Sequence, residues 1–453
     1  MNWLVVNLLL HFLTGAHGAQ TTGQVFVGLD GDGNFVLQSP AGRQLMVDGV
    51  ALINKLADME ALILQQQSIM TQQQNTISQL NARVAELKNT QGQGQASGFV
   101  PANEFSREKL GFMFNGTIRT IDSTGRVGLD TSLALTTAGV PVISYRDSTN
   151  LDLKLAVCAD ATCSSGTIIR TIDSTDSVGS YTSLALTAAG FPVIAYRDDT
   201  NFDLKLAVCA DATCSSGTTI RTIDSTGSVG WYTSLALTVA SFPVISYYDS
   251  TNLDLKLAVC ADATCASGTT IRTIDSTGTV GDYTSLALTT AGFPVIAYRE
   301  GSNGDLKLAV CADATCSSGT TIRTIDSANN VGWFTSLALT TAGFPVIAYQ
   351  DRTIFDLKLA VCADATCSSN TAIRTIDSTD SVGDFTSLAL TTAGFPVISY
   401  RDSTNEDLKL AVCADATCSS GTTIRTIDST GRVGEYTSLA LTTAGFPVIS
   451  YFD

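Results

Sequence analysis

The sequence predicts an all-β chain, a seven-bladed β-propeller preceded by an α-helical coiled-coil stalk, and three observations predict it. A unit of 51 residues recurs, with Ile121, Ile172, Ile223, Ile274, Ile325, Ile376 and Ile427 occupying one slot. Each unit carries four short β-type runs in succession. The repeat region opens on half a unit and closes on the complementary half, as in a ring whose two ends share a blade.

Composition sets the boundaries. The chain has 453 residues, with 26 Lys plus Arg against 42 Asp plus Glu and a net charge of −16, so it lacks the basic surface that nucleic-acid binding requires. Its two histidines, His11 and His17, lie in an N-terminal apolar stretch. Removal of that stretch leaves no imidazole for Ser-His-Asp or Cys-His catalysis or for a histidine-ligated metal.

Residues 4–14 form a short apolar core, and the small residues at 15–19 follow it, so residues 1–18 read as a secretory signal peptide even though no Lys or Arg precedes the core. The run is too short for the ~20 residues of a membrane span. In the next segment, 19–44, the runs at 25–28 and 34–37 flank Asp30-Gly31-Asp32-Gly33, a small β-hairpin. A calcium loop of the helix-loop-helix kind would need Gly at Phe35 and Glu at Ala41.

Residues 45–88 keep one heptad register. Its a positions are Leu45, Leu52, Met59, Gln66, Gln73, Leu80 and Leu87, and its d positions are Gly49, Leu56, Ile63, Met70, Ile77 and Val84. This is a coiled-coil pattern, and Leu at a with Ile at d leans toward a homotrimer rather than a dimer. A Gln/Gly-rich flexible linker, 89–103, leads to the propeller, 104–453.

In the second full repeat the four runs are 182–186, 191–196, 204–208 and 218–223, here called A to D. Short links join A to B, B to C and C to D, which makes an antiparallel meander, and the longer D-to-A link leads to the next blade. Run C first appears at 109–114, the turn Asn115-Gly116 follows, and run D lies at 117–121. At the other end 437–441 and 446–451 supply A and B.

All twelve cysteines fall in six Cys-Ala-Asp-Ala-Thr-Cys loops. They pair Cys158 with Cys163, Cys209 with Cys214, Cys260 with Cys265, Cys311 with Cys316, Cys362 with Cys367, and Cys413 with Cys418. Six local disulfides in an oxidising, extracellular compartment are the simple reading. Two thiols per blade fall short of a zinc site, and the sequence carries no metal or cofactor signature. Asn115 heads the glycosylation sequon Asn115-Gly116-Thr117.

With repeats reading Phe-Pro-Val-Ile-Ser-Tyr, Asp-Leu-Lys-Leu-Ala-Val-Cys and Thr-Ile-Asp-Ser-Thr-Gly, the region resembles seven-bladed propeller repeats of secreted microbial and algal proteins. It is similar in architecture to propeller lectins and, more distantly, to the Asp-box propellers of sialidases. The segment Thr222-Ile223-Asp224-Ser225-Thr226-Gly227 has one residue more between Asp and Gly than the Asp box has.

Chemistry is expected on the face shared by the B-to-C and D-to-A loops. The slot after Val-Gly varies by blade: Leu129, Ser180, Trp231, Asp282, Trp333, Asp384 and Glu435. So does the end of run B, with Arg146, Arg197, Tyr248, Arg299, Gln350, Arg401 and Phe452, each ahead of an acidic residue. Trp231 and Trp333, with Arg146, Asp147, Arg197, Asp198, Tyr248, Asp249, Arg299, Asp351, Arg401 and Asp402, form a candidate sugar site, since sugars stack on aromatics and bond to charged groups. Set against this, an Asp opening such a loop commonly caps its own turn, and Tyr181, Tyr232 and Phe334 suit wedges between blades.

The sequence thus points to a secreted, lectin-like adhesion protein, assembled through its coiled coil, that binds glycans or cell-surface glycoproteins without catalysis. A structural subunit of an extracellular fibre, sheath or appendage is the alternative, and a glycosidase-like enzyme using Glu300, Glu406 or Glu435 is the third. Catalysis is not expected because every complete blade keeps its 51-residue length, so no insertion shapes a pocket.

Overall fold

The computed structural model describes residues 116–453 and three short strands nearer the N-terminus. The expected signal peptide, the heptads beyond Met46, the linker, the strand at 109–114 and the sequon residue Asn115 lie outside the described residues. The chain divides into two units, Met1–Met113 and Phe114–Asp453. Among the described residues there is no helix, and none long and apolar enough to cross a membrane.

In the first unit β1 (Phe26–Leu29), β2 (Phe35–Gln38) and β3 (Gln44–Met46) form an antiparallel sheet in that order. The hairpin was expected; the third strand was not. Leu45 pairs with Leu37, so the first heptad position belongs to a strand and not to a helix. The free edge of β2 offers unpaired backbone groups, and three residues suffice to satisfy it locally.

In the second unit the first blade is a meander of β4 (Val127–Leu135), β5 (Pro141–Asp147), β6 (Asp152–Val157) and β7 (Ile168–Asp173). Five more four-stranded blades follow, with innermost strands Val178–Leu186, Trp231–Leu237, Val280–Leu288, Trp333–Leu339 and Val382–Leu390. A two-stranded sheet comes last, Glu435–Leu441 paired with Pro447–Phe452. Among the described residues there are therefore six complete blades and these two further strands, where seven complete blades were expected. Residues 117–121 form no strand, and the partner expected for them lies outside the described residues. Ile121 nonetheless packs with Leu133, Tyr145 and Val448, where a seventh outer strand would place it.

Each blade buries large residues against its neighbour. Between the first two, Leu153, Leu155 and Val157 meet Leu184, Ile194 and Tyr196, with Ala207 leaving room for them. Such burial contributes ~1.5–3 kcal/mol for each fully buried side chain.

Six disulfides close the C-to-D loops in the expected pairs, each with a Cα–Cα separation of 4.9–5.0 Å and both cysteines in one blade. Cys158 bonds to Cys163, Cys209 to Cys214 and Cys260 to Cys265. Cys311 bonds to Cys316, Cys362 to Cys367 and Cys413 to Cys418. The second of each pair, Cys163, Cys214, Cys265, Cys316, Cys367 and Cys418, has left-handed backbone at φ 47–54°, a conformation that non-glycine residues seldom adopt. The aspartate three residues earlier explains it: its carbonyl accepts the second cysteine's N–H, as Asp160 does from Cys163 at 3.1 Å and Asp211 from Cys214 at 3.2 Å, so the chain turns back tightly there.

The innermost strands are joined into a belt by serine. In each, a Ser Oγ accepts a hydrogen bond from the backbone N–H of a Leu in the next: Ser132 from Leu184, Ser183 from Leu235, and so on through Ser387 from Leu439, at 2.9–3.0 Å. The seventh bond closes the ring, Leu133 N–H donating to Ser438 Oγ at 3.0 Å.

Farther out, a strand-B tyrosine of each blade donates to an aspartate of the blade before it. Tyr145–Asp122, Tyr196–Asp173, Tyr298–Asp275 and Tyr451–Asp428 are four of the seven pairs, at 2.6–2.8 Å. A strand-C lysine backs the first six; Lys205 Nζ lies 2.8 Å from Asp173 and Lys307 Nζ 3.0 Å from Asp275. Burial pushes the Asp122 carboxyl upward, but hydrogen bonds from Thr124, Tyr145 and Lys154 outweigh it and hold the group at about 2.

Removing either kind of link should weaken the ring. Tyr298→Phe leaves buried Asp275 short of a donor and should cost about 1–3 kcal/mol in urea unfolding, and Ser438→Ala about 1 kcal/mol. Because the interblade aspartates, Asp122 and Asp173 among them, titrate below their unfolded range, their stabilisation is present above about pH 4 and disappears as pH falls toward 2. Thermal melts across that window should show it.

Candidate functional site: the loop face and the axial collar

The path from Val-Gly into each innermost strand sets the site. Gly179, at φ +90°, passes so close to the preceding blade that a Cβ would lie 3.0 Å from Leu153 Cα. Two residues later the chain takes a left-handed bulge at Asp130, Tyr181, Tyr232, Tyr283, Phe334, Phe385 and Tyr436, φ 50–54°. The slot residue between points to the rim and pairs across to the end of strand B, as Trp231 with Tyr248, Asp282 with Arg299 and Asp384 with Arg401. The two variable positions singled out by the sequence are thus brought together.

They also interlock around the ring. The Arg197 guanidinium lies 4.1 Å from the Trp231 ring centre, and Arg299 and Arg352 lie 4.4 and 4.0 Å from that of Trp333. The indole N–H of Trp231 donates to Ser228 Oγ at 3.1 Å, and that of Trp333 to Asn330 Oδ1 at 2.8 Å. Arg146 meets Asp199 at 3.2 Å, and Arg401 meets Glu435 at 3.2 Å. Gln350 donates to Asp384 Oδ1 at 2.5 Å, across the same kind of blade boundary. Tyr248 is buried in this belt, and burial, with Asp282 nearby, pushes its hydroxyl up to about 12. Both tryptophans stay half-buried and partly open to solvent.

The aspartates of the candidate set turn the other way. Asp147 Oδ1 accepts from Thr149 N–H and Asn150 N–H, its Oδ2 from the Asn150 amide, and Lys154 lies 3.3 Å away. Asp198, Asp249 and Asp402 repeat this cap, Asp351 accepts from Thr353 N–H beside Lys358, and all five are buried. They shape the loops that carry the arginines and present no oxygen outward.

Sequence reasoning missed the axis. Tyr181, Tyr232 and Phe334, read as wedges between blades, instead join a collar around the central channel, and the interblade wedges are Tyr196 and its equivalents. Neighbouring ring centres from Tyr181 to Tyr436 lie 4.4–5.0 Å apart. The signal was available: an aromatic precedes Thr-Ser-Leu-Ala-Leu in six repeats, and Asp130 replaces it in the first. The collar lines a cavity of ≈ 220 Å³. Desolvation pushes the half-buried Asp130 carboxyl up to about 6, against the hydrogen bond from Tyr181 N–H and the Arg146 charge.

No protein-family model matches the chain, and no curated protein matches it in sequence. Solved structures similar to it include an arginine-to-alanine triple mutant of AofleA from Arthrobotrys oligospora, at 11% identity and TM-score 0.46, over 68% of this chain and 88% of that one. SapL1 lectin in complex with alpha methyl fucoside matches at 10% identity and TM-score 0.45, over 66% and 97%. A puromycin hydrolase matches at 12% identity and TM-score 0.48, over 74% of this chain and 55% of that one, so the chain spans about half its length. At this distance no activity carries over. An enzyme stands among these structures beside a lectin, and this corrects the expectation that the chain is not an enzyme.

Asp130 carries a stability cost, since an acid raised in the folded state destabilises it as pH rises from about 4 through about 6. Asp130→Asn should raise the melting temperature at pH 7–8, corresponding to about 1–3 kcal/mol, and the gain should vanish below pH 4. Calorimetry of both proteins across that range checks it.

Proposed function

We propose that the protein is a secreted glycan-binding propeller whose loop face recognises cell-surface sugars or glycoproteins. The observation that supports this best is the rim, where half-exposed Trp231 and Trp333 alternate with guanidinium and carboxylate groups from blade to blade. Such a face sets half-exposed aromatic edges beside fixed hydrogen-bonding groups, apolar and polar contacts that a pyranose can use together. Arg197 and Arg299 lie over the indoles and hold them in place, so a sugar would meet the rings at their open edges and the arginines at their outer nitrogens. Arg146 and Arg401 repeat the second half of that chemistry on other blades.

The ring we propose has seven blades, the last of them represented by its two described strands. Residues 1–18 act as a signal peptide, and the six disulfides fit an extracellular protein. The heptads assemble a trimer, so that weak sites gain avidity of order 10²- to 10⁴-fold.

A glycan array probed with the full chain tests this reading. Binding should appear in the native protein and fall at least about tenfold, ~1.4 kcal/mol, in Trp231→Ala plus Trp333→Ala. A blank array with the native protein, accompanied by ordered filaments in electron micrographs, would favour the fibre-subunit reading instead.

A further inference from the structure

We propose that the axial collar is a subsite for one terminal pyranose, with Asp130 accepting its hydroxyls and Phe334 and Phe385 covering its C–H face. The inference rests on the glycan reading and gives it a second, single-copy site distinct from the repeated rim.

The collar is built against the preference of the backbone. Left-handed φ suits Gly, Asn or Asp and disfavours bulky side chains, yet six of the seven stations carry Tyr or Phe. The side chains, therefore, decide the residue type there. Their order is also uneven. Asp130 sits between Tyr436 and Tyr181, Tyr232 and Tyr283 follow, and the two phenylalanines complete the circle. One arc of the cavity is therefore polar and the other apolar. The Tyr232 hydroxyl hydrogen-bonds to Tyr283, which steadies the polar arc.

A pyranose is amphipathic in the same sense, with hydroxyls along one edge and C–H groups across a face. The collar encloses ≈ 220 Å³ at the axis, space on the scale of one sugar ring, and a single ring presented there is the end of a glycan. With Asp130 as the one station that breaks the aromatic series, the sugar has a single preferred orientation and the chain a single such site.

Titration calorimetry of the full chain with the methyl pyranosides of glucose, galactose, mannose and N-acetylglucosamine, beside the glycan array, tests the site. At least one glycoside should bind with one site per chain. Asp130→Asn should weaken it at least tenfold, and Asp130→Tyr, which installs the residue present at four other stations, should abolish it in a ring that still melts cooperatively. Array binding lost on the double Trp substitution but unchanged by both Asp130 variants would overturn the axial subsite and leave the rim reading standing. Silence of the native protein on the array and toward all four glycosides would overturn both.

Discussion

Everything described on the loop face depends on the serine belt. Seven innermost strands keep a common height because each Leu N–H is fastened to the Ser Oγ of its neighbour, and the bond from Leu133 to Ser438 turns a row of blades into a circle. An exchanged hydrogen bond of this kind contributes only about 0.5–1.5 kcal/mol net. Its importance is geometric. It sets the register at which bulky residues of one blade meet small residues of the next, and it brings the seven left-handed bulges to one level around the axis. The Tyr–Asp–Lys contacts farther out fix the angle between blades.

That division of labour explains why the two faces differ. The outer links and the Cys loops use the same residue types in every complete blade, because each solves the same packing problem. Freedom is left where the chain has crossed the close approach at Gly179 and its equivalents and has not yet entered the belt, and at the end of strand B that pairs across to it. The rim slot, the collar station and the strand-B end therefore vary from blade to blade. Buried aspartates such as Asp147 and Asp249 contribute indirectly, by holding the loops that aim Arg146 and Tyr248.

Much of this was legible in the sequence, and the limits have physical causes. The repeat gave the blades, their strand order and the disulfides, since periodicity and cysteine spacing are local properties. The left-handed turn at Cys163 and its equivalents was not legible, because spacing fixes which thiols meet but not the backbone that brings them together. The pairing of slot with strand end, Trp231 opposite Tyr248, was foreseen only as co-location on one face. Its detail depends on bulges that shift the register between Trp231 and Ser234. Tyr196 and Asp173 stand 23 residues apart and belong to different blades, so their bond is invisible to pattern reading. The collar escaped because alternation assigns Tyr181 to an interblade face, and the left-handed backbone turns it to the axis. The seventh blade is described by two strands alone: hydrophobic alternation at 117–121 promises a further one, but a strand forms where a partner pairs with it, and the partner expected for 117–121 lies outside the described residues.

The cysteines carry a different kind of consequence. Each bridge begins and ends within a single blade, five residues apart, so no covalent link joins one repeat to another. A gene encoding such a chain can gain or lose a whole repeat by unequal recombination without stranding an unpaired thiol. Ring size and the assortment of rim residues are then open to selection by copy number, in a way that a propeller cross-linked between blades would forbid.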